Sequence, residues 1–275
     1  MIFMNYKSVT KTTASSISFW KELMHKVSEI DFGEPLHELD SRFVQIWSSH
    51  YAKIVEMVPV KAPVLEIGTG YGVLAAGLSM LSGERITTTE HPSRTYLASP
   101  SYRSFLEKFR IDIVAHDLKE GLPFKKNSFQ QVYLCDVIEH FPPDSIPSIL
   151  TEIFRVLYPG GNLILSTPNL NRLSGFFRFL AGYSINPPLE VSKVGDTFGH
   201  IRELAPKEAL RLLTKSGFQP KTCNFSTNPY FTADAFGEDN IFSPKMARIV
   251  NNLTGMLIRI MPRIGDEMYI LAQRM

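Results

Sequence analysis

Residues 64–72 read Val-Leu-Glu-Ile-Gly-Thr-Gly-Tyr-Gly, a short apolar run that ends in three glycines at alternate positions. This run predicts a buried strand that stops at Gly68, because glycine permits a tight turn and a close approach of the backbone to a ligand. The apolar residues from Val73 onward predict a helix, whose first N–H groups are available to a ligand. The stretch therefore predicts a nucleotide-type binding turn.

The glycine spacing separates this turn from two common nucleotide-binding motifs. The dinucleotide-binding motif reads G-x-G-x-x-G, whereas Gly68, Gly70 and Gly72 give G-x-G-x-G and position 73 is Val. An NAD-dependent oxidoreductase is therefore a disfavoured alternative. The chain also lacks the G-x-x-x-x-G-K-[ST] sequence of P-loop proteins, which excludes that class.

Length and composition narrow the class of protein. The chain has 275 residues, of which 44% are hydrophobic and 20% charged, as in one large soluble α/β domain with additions. A formal net charge of +2 is too small to indicate a nucleic-acid partner. The two cysteines lack metal-site spacing, so no metal is predicted. An N-terminus that soon turns polar, and no apolar run of about 18 residues, predict a cytoplasmic protein without membrane insertion.

From residue 64 onward, strand-like and helix-like segments alternate. This alternation predicts a doubly wound, mostly parallel sheet. The first five strands are predicted at 64–67, 86–89, 111–115, 131–135 and 163–167. Helices are predicted at 72–82, 94–109, 145–157, 206–216 and from 244 onward.

The sequence divides into an N-terminal part and a main domain. A polar tail and helical periodicity predict a helical cap over residues 1–58, followed by one domain over 59–275. Two excursions interrupt that domain. The excursion 168–204 is aromatic and apolar, and could be a lid over the substrate or part of the core. The excursion 226–264 contains an amphipathic helix, whose apolar stripe we expect in the core rather than on a membrane.

Polar clusters follow the predicted strands, and ligands of open α/β sheets bind outside the carboxyl ends of the strands. Glu90 ends the second strand, 22 residues after Gly68, where an acid can bind ribose hydroxyls. Asp117 follows the third strand, Asp136 begins the cluster after the fourth, and Ser166 begins the cluster after the fifth. Counting the glycine turn with Glu66 as the cluster of the first strand, four of the five clusters carry an acid. Acids there disfavour a polyphosphate and favour a nucleoside with a cationic part.

On these motifs the chain resembles the class I S-adenosylmethionine-dependent methyltransferases, especially the group that includes the quinone-biosynthesis enzymes. The resemblance covers about residues 60–225 and rests on the order of its motifs. These are Glu66–Gly72, Glu90, Asp117, Asp136–His140, Leu157–Gly161, and Gly199–Leu204 ahead of a helix that ends at Gly217-Phe218. The fold it implies is a Rossmann-like seven-stranded sheet with an antiparallel last strand, for which 267–273 fits.

The resemblance implies an enzyme that binds S-adenosylmethionine and releases S-adenosylhomocysteine. Glu66 would hold the turn and the methionine amino group, and Glu90 would accept the ribose hydroxyls. Asp117 would bind the adenine edge, and Asp136 would lie near the methionine part. The implied cofactor-binding residues are Glu66, Gly68, Thr69, Gly70, Tyr71, Glu90, His91, Asp117, Leu118, Asp136 and Val137.

The chemistry of methyl transfer suggests a general base. The protein mainly positions the acceptor against an already activated methyl group, but an acceptor oxygen of high pKa must also lose its proton. Of the seven histidines, His140 and His200 fall at the predicted rim of the site. Each has a structural alternative: His140 could only shape the pocket, and His200 could only tie the excursion 168–204 to the sheet. Arg202 could fix an acidic substrate.

The predicted function is therefore O-methylation of a small molecule, whether lipid, isoprenoid, aromatic or sugar-linked. The alternative is a non-catalytic module that binds S-adenosylmethionine. The oligomeric state stays open.

Overall fold

The computed structural model describes residues 16–33, 41–180, 182, 184–185, 200–226 and 244–275. The helices are α1 (Ile17–Ser28), α2 (Ser41–Glu56), α3 (Val73–Ser82), α4 (Pro100–Lys108), α5 (Ile146–Val156), α6 (Leu173–Leu180), α7 (Pro206–Lys215) and α8 (Pro244–Ile260). The strands are β1 (Val64–Ile67), β2 (Ile86–Glu90), β3 (Ile111–Ala115), β4 (Phe129–Cys135), β5 (Leu157–Pro168), β6 (Phe218–Ser226) and β7 (Glu267–Arg274). Short 3₁₀ helices span Thr95–Ala98, Leu118–Glu120, Ile138–His140 and Pro262–Ile264.

Within the described part of the chain, seven strands form one sheet in the order β3-β2-β1-β4-β5-β7-β6. Strand β1 pairs in parallel with both β2 and β4, so that Leu65 lies opposite Thr87 on one side and Val132 on the other. All four residues of β1 are buried, as in a strand covered on both faces. The sheet is mostly parallel and includes an antiparallel pairing, which confirms the predicted fold class.

The chain forms two compact units. The first comprises Met1–Leu134, Thr151–Ile164 and Gln273–Met275, and the second comprises Cys135–Leu150 and Leu165–Ala272. The first unit holds the glycine turn and helices α1 to α4. The second holds the residues that follow β4, together with α6, α7, β6 and α8.

The N-terminal helices contribute to the core of the first unit. Helix α1 begins at Ser16, whose Oγ accepts a hydrogen bond from the Phe19 N–H at 3.3 Å and so caps the helix. Trp20 is fully buried and packs on Gly77 of α3, where an added Cβ would lie 2.1 Å from the Trp20 Cη2 atom. Glycine at position 77 therefore makes the room that the indole ring fills.

Two predicted element boundaries are wrong. The predicted helix 94–109 is interrupted, because a new helix begins at Pro100. The Ser99 side chain caps this helix by accepting a hydrogen bond from the Tyr102 N–H, and proline suits the first helical position. The strand predicted at 163–167 begins earlier, since β5 runs from Leu157 through Pro159 and Gly160 to Pro168. Gly160 adopts a φ of 77° there, which accommodates a local kink inside a strand.

The two excursions differ from expectation where they are described. The segment 168–204 contains helix α6, which its lack of a clear period did not reveal. The expected core stripe of α8 is wrong, because a period shows that a helix has an apolar face and not what covers that face. Its described members are between 42% and 80% exposed: Ile249, Leu253, Leu257 and Ile260. The expectations for residues 1–15, 186–199 and 227–243 lie outside the described residues.

Candidate active site

The glycine turn after β1 has the conformation that its sequence predicts. Gly68, Gly70 and Gly72 adopt φ values of 74°, 54° and 78°, which side chains with a Cβ rarely adopt. The N–H groups of Gly68 and Thr69 both donate to the Thr89 carbonyl oxygen, at 2.9 and 3.1 Å. A Cβ built on Gly70 would meet no atom within 4 Å. The turn is therefore fixed by β2 and leaves space for a ligand at Gly70.

Glu66 is a buried carboxyl group beside this turn. Its Oε2 accepts a hydrogen bond from the Thr69 hydroxyl at 2.8 Å. Burial, and to a lesser degree the charge of Glu90, raises the pKa of Glu66 to about 8. A cation bound next to Glu66 would favour its ionised form.

Glu90 at the end of β2 joins the turn to the rest of the first unit. Its Oε2 accepts from the Gly70 N–H at 2.7 Å, and its Oε1 accepts from the His91 N–H at 2.8 Å. The Tyr102 hydroxyl donates to the Gly70 carbonyl at 3.0 Å. Tyr96 also forms a side-chain hydrogen bond with Glu90. Since a carboxylate offers about four acceptor positions, Glu90 retains about one for a hydroxyl group of a ligand.

An aromatic cluster packs behind Glu90 and the turn. The ring of Tyr71 lies 4.9 Å from that of Phe32 and 5.5 Å from that of Tyr96, between centroids. Burial and the charge of Glu90 raise the pKa of both Tyr96 and Tyr102, so both hydroxyls are neutral donors. Sequence reasoning included Tyr71 but missed Phe32, which lies in the loop after α1 and carries no local signal.

Asp117 follows β3 and caps the 3₁₀ helix Leu118–Glu120. Its Oδ1 accepts from the Lys119 N–H at 2.9 Å, and its Oδ2 lies 3.6 Å from the His91 Nε2 atom. His116 instead contacts the Gly121 carbonyl through Nε2 at 2.9 Å. Contacts within the protein therefore account for the positions of Asp117, His91 and His116 without a ligand. We call Glu66, Gly68, Gly70, Glu90 and Asp117 the cofactor cradle.

In the second unit, the chain after β4 makes a strained turn. Asp136 adopts a φ of 55°, which is uncommon outside glycine and is found at functional sites. Its N–H donates to the Ser166 carbonyl at 3.0 Å, and its Oδ2 accepts from the Ser166 hydroxyl at 3.3 Å. The Val137 carbonyl then accepts from the His140 N–H at 3.1 Å, which begins the 3₁₀ turn that carries Glu139 and His140.

Glu139 is fully buried. Its Oε2 accepts from the Thr167 hydroxyl at 3.0 Å, whereas Oε1 has no hydrogen-bond partner among the described residues. Burial, with the charge of Asp136, raises its pKa well above the ordinary value. Burial therefore favours the protonated form of Glu139.

The structure brings the two predicted histidines together. The rings of His140 and His200 lie 5.0 Å apart between centroids, edge to face at 72°. The Ile201 and Arg202 N–H groups donate to the Glu139 carbonyl at 2.8 and 3.1 Å, which fixes the segment carrying His200. Arg202 itself pairs with Glu208, Nη2 to Oε1, at 2.6 Å.

A buried ion pair lies behind His200. The His200 Nδ1 atom is 3.3 Å from Glu203 Oε1, and Arg172 Nη1 donates to Glu203 Oε2. Sequence reasoning assigned no role to Glu203 or Arg172. The signal for Glu203 was its place three residues after His200 in the Gly199–Leu204 motif, whereas none pointed to Arg172. We call Glu139, His140, Arg172, His200 and Glu203 the histidine cluster.

The histidine cluster also has the donor types of a metal site. Glu139, His140 and His200 each offer one ligand atom, and these atoms lie within 4.8 Å of one another. Imidazole and carboxylate ligands suit divalent transition metals. The absence of a metal, predicted from the sequence, stays a prediction.

The fold and the comparisons confirm the resemblance to the class I S-adenosylmethionine-dependent methyltransferases. Residues 64–161 match the family described as "Methyltransferase domain". This range starts at β1 and ends within β5, so it contains every residue of the cofactor cradle. The enzyme class and the cofactor predicted from the sequence are confirmed.

Two curated relatives share part of this chain. It is 26% identical over 183 residues to the ubiquinone biosynthesis O-methyltransferase of Dechloromonas aromatica, covering 64% of this chain and 73% of that protein. It is 29% identical over 133 residues to the sterol 24-C-methyltransferase ERG6A of Gibberella zeae, covering 47% of this chain and 32% of that protein. The chain thus spans about a third of the length of the sterol enzyme.

Solved structures share the fold. A SAM-dependent methyltransferase from Archaeoglobus fulgidus has a TM-score of 0.54 at 18% identity, over 85% of this chain and 95% of that one. The 1,6-didemethyltoxoflavin-N1-methyltransferase of Burkholderia thailandensis, solved with S-adenosylhomocysteine, has a TM-score of 0.53 at 16% identity, over 92% and 87%. No helix in the described ranges is long and apolar enough to cross a membrane.

Proposed function

We propose that this methyltransferase methylates an oxygen atom of a small-molecule acceptor. The observation that carries the proposal is the pair of half-buried imidazole rings, His140 and His200, with a buried carboxylate behind one of them. A histidine is the usual group that takes a proton from an acceptor hydroxyl near neutral pH. A buried carboxylate partner is a common way to orient such a base.

The proposed reaction has one displacement and one proton transfer. S-Adenosylmethionine supplies a methyl group on a positively charged sulfur, so the new carbon–oxygen bond forms as the carbon–sulfur bond breaks with its electrons going to sulfur. The acceptor hydroxyl gives its proton to a histidine nitrogen. The protein contributes positioning of the acceptor and this proton transfer.

The cofactor cradle fits the cofactor on two observations. Gly70 has open space beside its backbone, and the buried Glu66 carries no charge until a cation arrives. We assign Glu66 to the methionine amino group, Glu90 to the ribose hydroxyls, and Asp117 with the Leu118 backbone to adenine. The roles of Asp136 and Val137 beside the methionine part belong to the same proposal.

We further propose that the acceptor is apolar. Helix α6 begins directly after Arg172 of the histidine cluster and exposes a row of large apolar side chains. These are Phe176, Phe177, Phe179 and Leu180. The names of the two curated relatives refer to ubiquinone biosynthesis and to sterols, which supports an acceptor with an apolar body. One of these names states methylation of oxygen and the other methylation of carbon. The proposal that the acceptor atom is oxygen therefore rests on the two histidines.

Mass spectrometry with S-adenosylmethionine that carries a deuterated methyl group tests both parts. We expect a deuterated methyl ether from a polyprenylated catechol, less product from a water-soluble catechol, and none from the variant in which both His140 and His200 are Ala. A carbon-methylated sterol as the product would contradict oxygen methylation. Cofactor binding without transfer to any acceptor would favour the non-catalytic module.

A further inference from the structure

The carboxylate of Glu203 is held from two sides. Arg172 donates to its Oε2 from Nη1, and the same guanidinium donates to the carbonyl oxygens of Asn169 at 3.3 Å and Ile185 at 3.1 Å. Asn169 is fixed in turn, because its Nδ2 donates to the Gly265 carbonyl at 2.7 Å. The arginine thus links Glu203 to the backbone at Asn169 and Ile185.

Glu203 is ionised although it is only 2% exposed. Burial alone would raise its pKa, but the hydrogen bond from His200 and the charge and hydrogen bond of Arg172 lower it below the ordinary value. A buried carboxylate with a cation on one oxygen keeps its other oxygen as a strong acceptor.

That second oxygen faces the ring of His200. The Nδ1 atom lies 3.3 Å from Glu203 Oε1, and an ionised carboxylate can only accept a hydrogen bond. Nδ1 must therefore carry a proton, which leaves Nε2 as the basic nitrogen of the neutral ring.

The backbone around His200 is fixed as well. On its C-terminal side, Ile201 and Arg202 donate to the Glu139 carbonyl. Further along, the Leu204 carbonyl accepts from the Leu170 N–H at 3.1 Å. A ring that is fixed by backbone contacts and by a carboxylate loses little entropy when it accepts a proton.

We propose that Glu203, anchored by Arg172, is the positioning residue that makes His200 the general base; this inference rests on the proposed oxygen methylation. The acceptor hydroxyl gives its proton to His200 Nε2 as its oxygen bonds to the methyl carbon. The His140 ring lies 5.0 Å from that of His200 between centroids, and we assign it to shaping the site.

Nitrogen-15 NMR of the full chain, saturated with S-adenosylhomocysteine, tests the tautomer without any acceptor. In the wild type, the His200 signals should show the proton on Nδ1. In Glu203→Gln, whose amide can either donate or accept, the preference should be lost and both tautomers should appear. The control Asp112→Asn, which breaks the exposed Arg85–Asp112 pair (2.8 Å), should leave the signals unchanged. A proton on Nε2 in the wild type would overturn the proposal.

Steady-state kinetics with the polyprenylated catechol test the role of Glu203 in catalysis. Glu203→Gln should lower kcat by about 100-fold. Its KM for S-adenosylmethionine and its thermal stability should match those of the control Asp112→Asn.

A second variant covers the case in which Glu203→Gln does not fold. Glu203→Asp keeps the charge next to Arg172 but withdraws the carboxylate from His200, and should lower kcat by about tenfold with cofactor affinity intact. Wild-type turnover in either folded variant would make the contact purely structural. If the wild type shows the predicted tautomer but methylates no oxygen, the proposed function fails and the positioning geometry stands.

Discussion

Glu66 of the cofactor cradle and Glu203 of the histidine cluster are both buried glutamates, but their surroundings shift their pKa values in opposite directions. Glu66 has a hydroxyl as its partner, and burial raises its pKa to about 8. Glu203 has an arginine and a histidine, and these lower its pKa despite burial. Glu66 has no positive charge beside it until a ligand brings one, whereas Glu203 already has the positive charge of Arg172 beside it.

This difference assigns the two regions different tasks. A carboxyl that ionises only when a cation arrives contributes to binding that cation. A carboxylate that is ionised beforehand can hold an imidazole in one tautomer. Substitutions in the cofactor cradle should therefore change affinity for S-adenosylmethionine, and substitutions in the histidine cluster should change turnover.

The largest effect is expected at the base. His200→Ala should lower kcat by about 1,000-fold, because proton transfer by a positioned base contributes about 10²–10⁴-fold. His140→Ala should cost about tenfold, since a neighbouring ring only shapes the site. Steady-state kinetics on the identified acceptor, with calorimetry for cofactor affinity, measure both. Full turnover in both variants would remove the task assigned to the histidine cluster.

The next effect concerns cofactor affinity. Glu90→Ala should weaken binding of S-adenosylmethionine by about 100-fold or more, because hydrogen bonds to a charged group contribute about 1.5–3 kcal/mol each. The same titration of Glu203→Gln should match the wild type within about twofold, since that residue serves turnover. Calorimetric titration separates the two. Equal loss of affinity in both variants would erase the distinction between the regions.

A smaller effect tests the support of the cofactor cradle. Gly77→Ala places a methyl group where Trp20 packs, and overpacking costs about 1–3 kcal/mol. We expect the Tm to fall by several degrees while cofactor binding at low temperature persists. The matched control is Gly255→Ala in α8, where a Cβ meets no atom within 4 Å; it should leave the Tm unchanged or raise it. An unchanged Tm in Gly77→Ala would contradict the packing.

No effect is expected from metal removal. His140 is assigned to shaping the site and His200 to proton transfer, so dialysis against EDTA should leave turnover at its starting value. Activity that is lost with EDTA and regained with a divalent cation would turn the histidine cluster into a metal centre. Such a result would leave the cofactor cradle as described.

The sequence predicted these two regions to different extents, and the reason is physical. The φ values of Gly68, Gly70 and Gly72 follow from residue type and spacing, because the conformation is local. The pairing of Glu90 with Gly70 follows from adjacent parallel strands. The class of sheet and the polar residues at the strand ends could therefore be predicted.

The histidine cluster could be predicted only in part. His140 and His200 stood out as residue types at strand ends, but their contact joins segments 60 residues apart in sequence. The Arg172–Glu203 pair joins two further segments, and its formation depends on packing that no local pattern encodes. The exposure of Leu253 in α8 has the same cause, since a helical period does not reveal what lies against the helix.

The contrast between Glu66 and Glu203 is tested most directly by counting the protons released when S-adenosylmethionine binds. With a pKa of about 8, Glu66 is mostly protonated at pH 7 in the free protein, and the cofactor's amino group should lower that pKa. Binding should therefore release a proton and tighten as the pH rises toward 8. Calorimetry at pH 7 in buffers of different ionisation enthalpy should give about one proton for the wild type and for Glu203→Gln, and about none for Glu66→Gln. Equal proton release in the wild type and in Glu66→Gln would contradict the account.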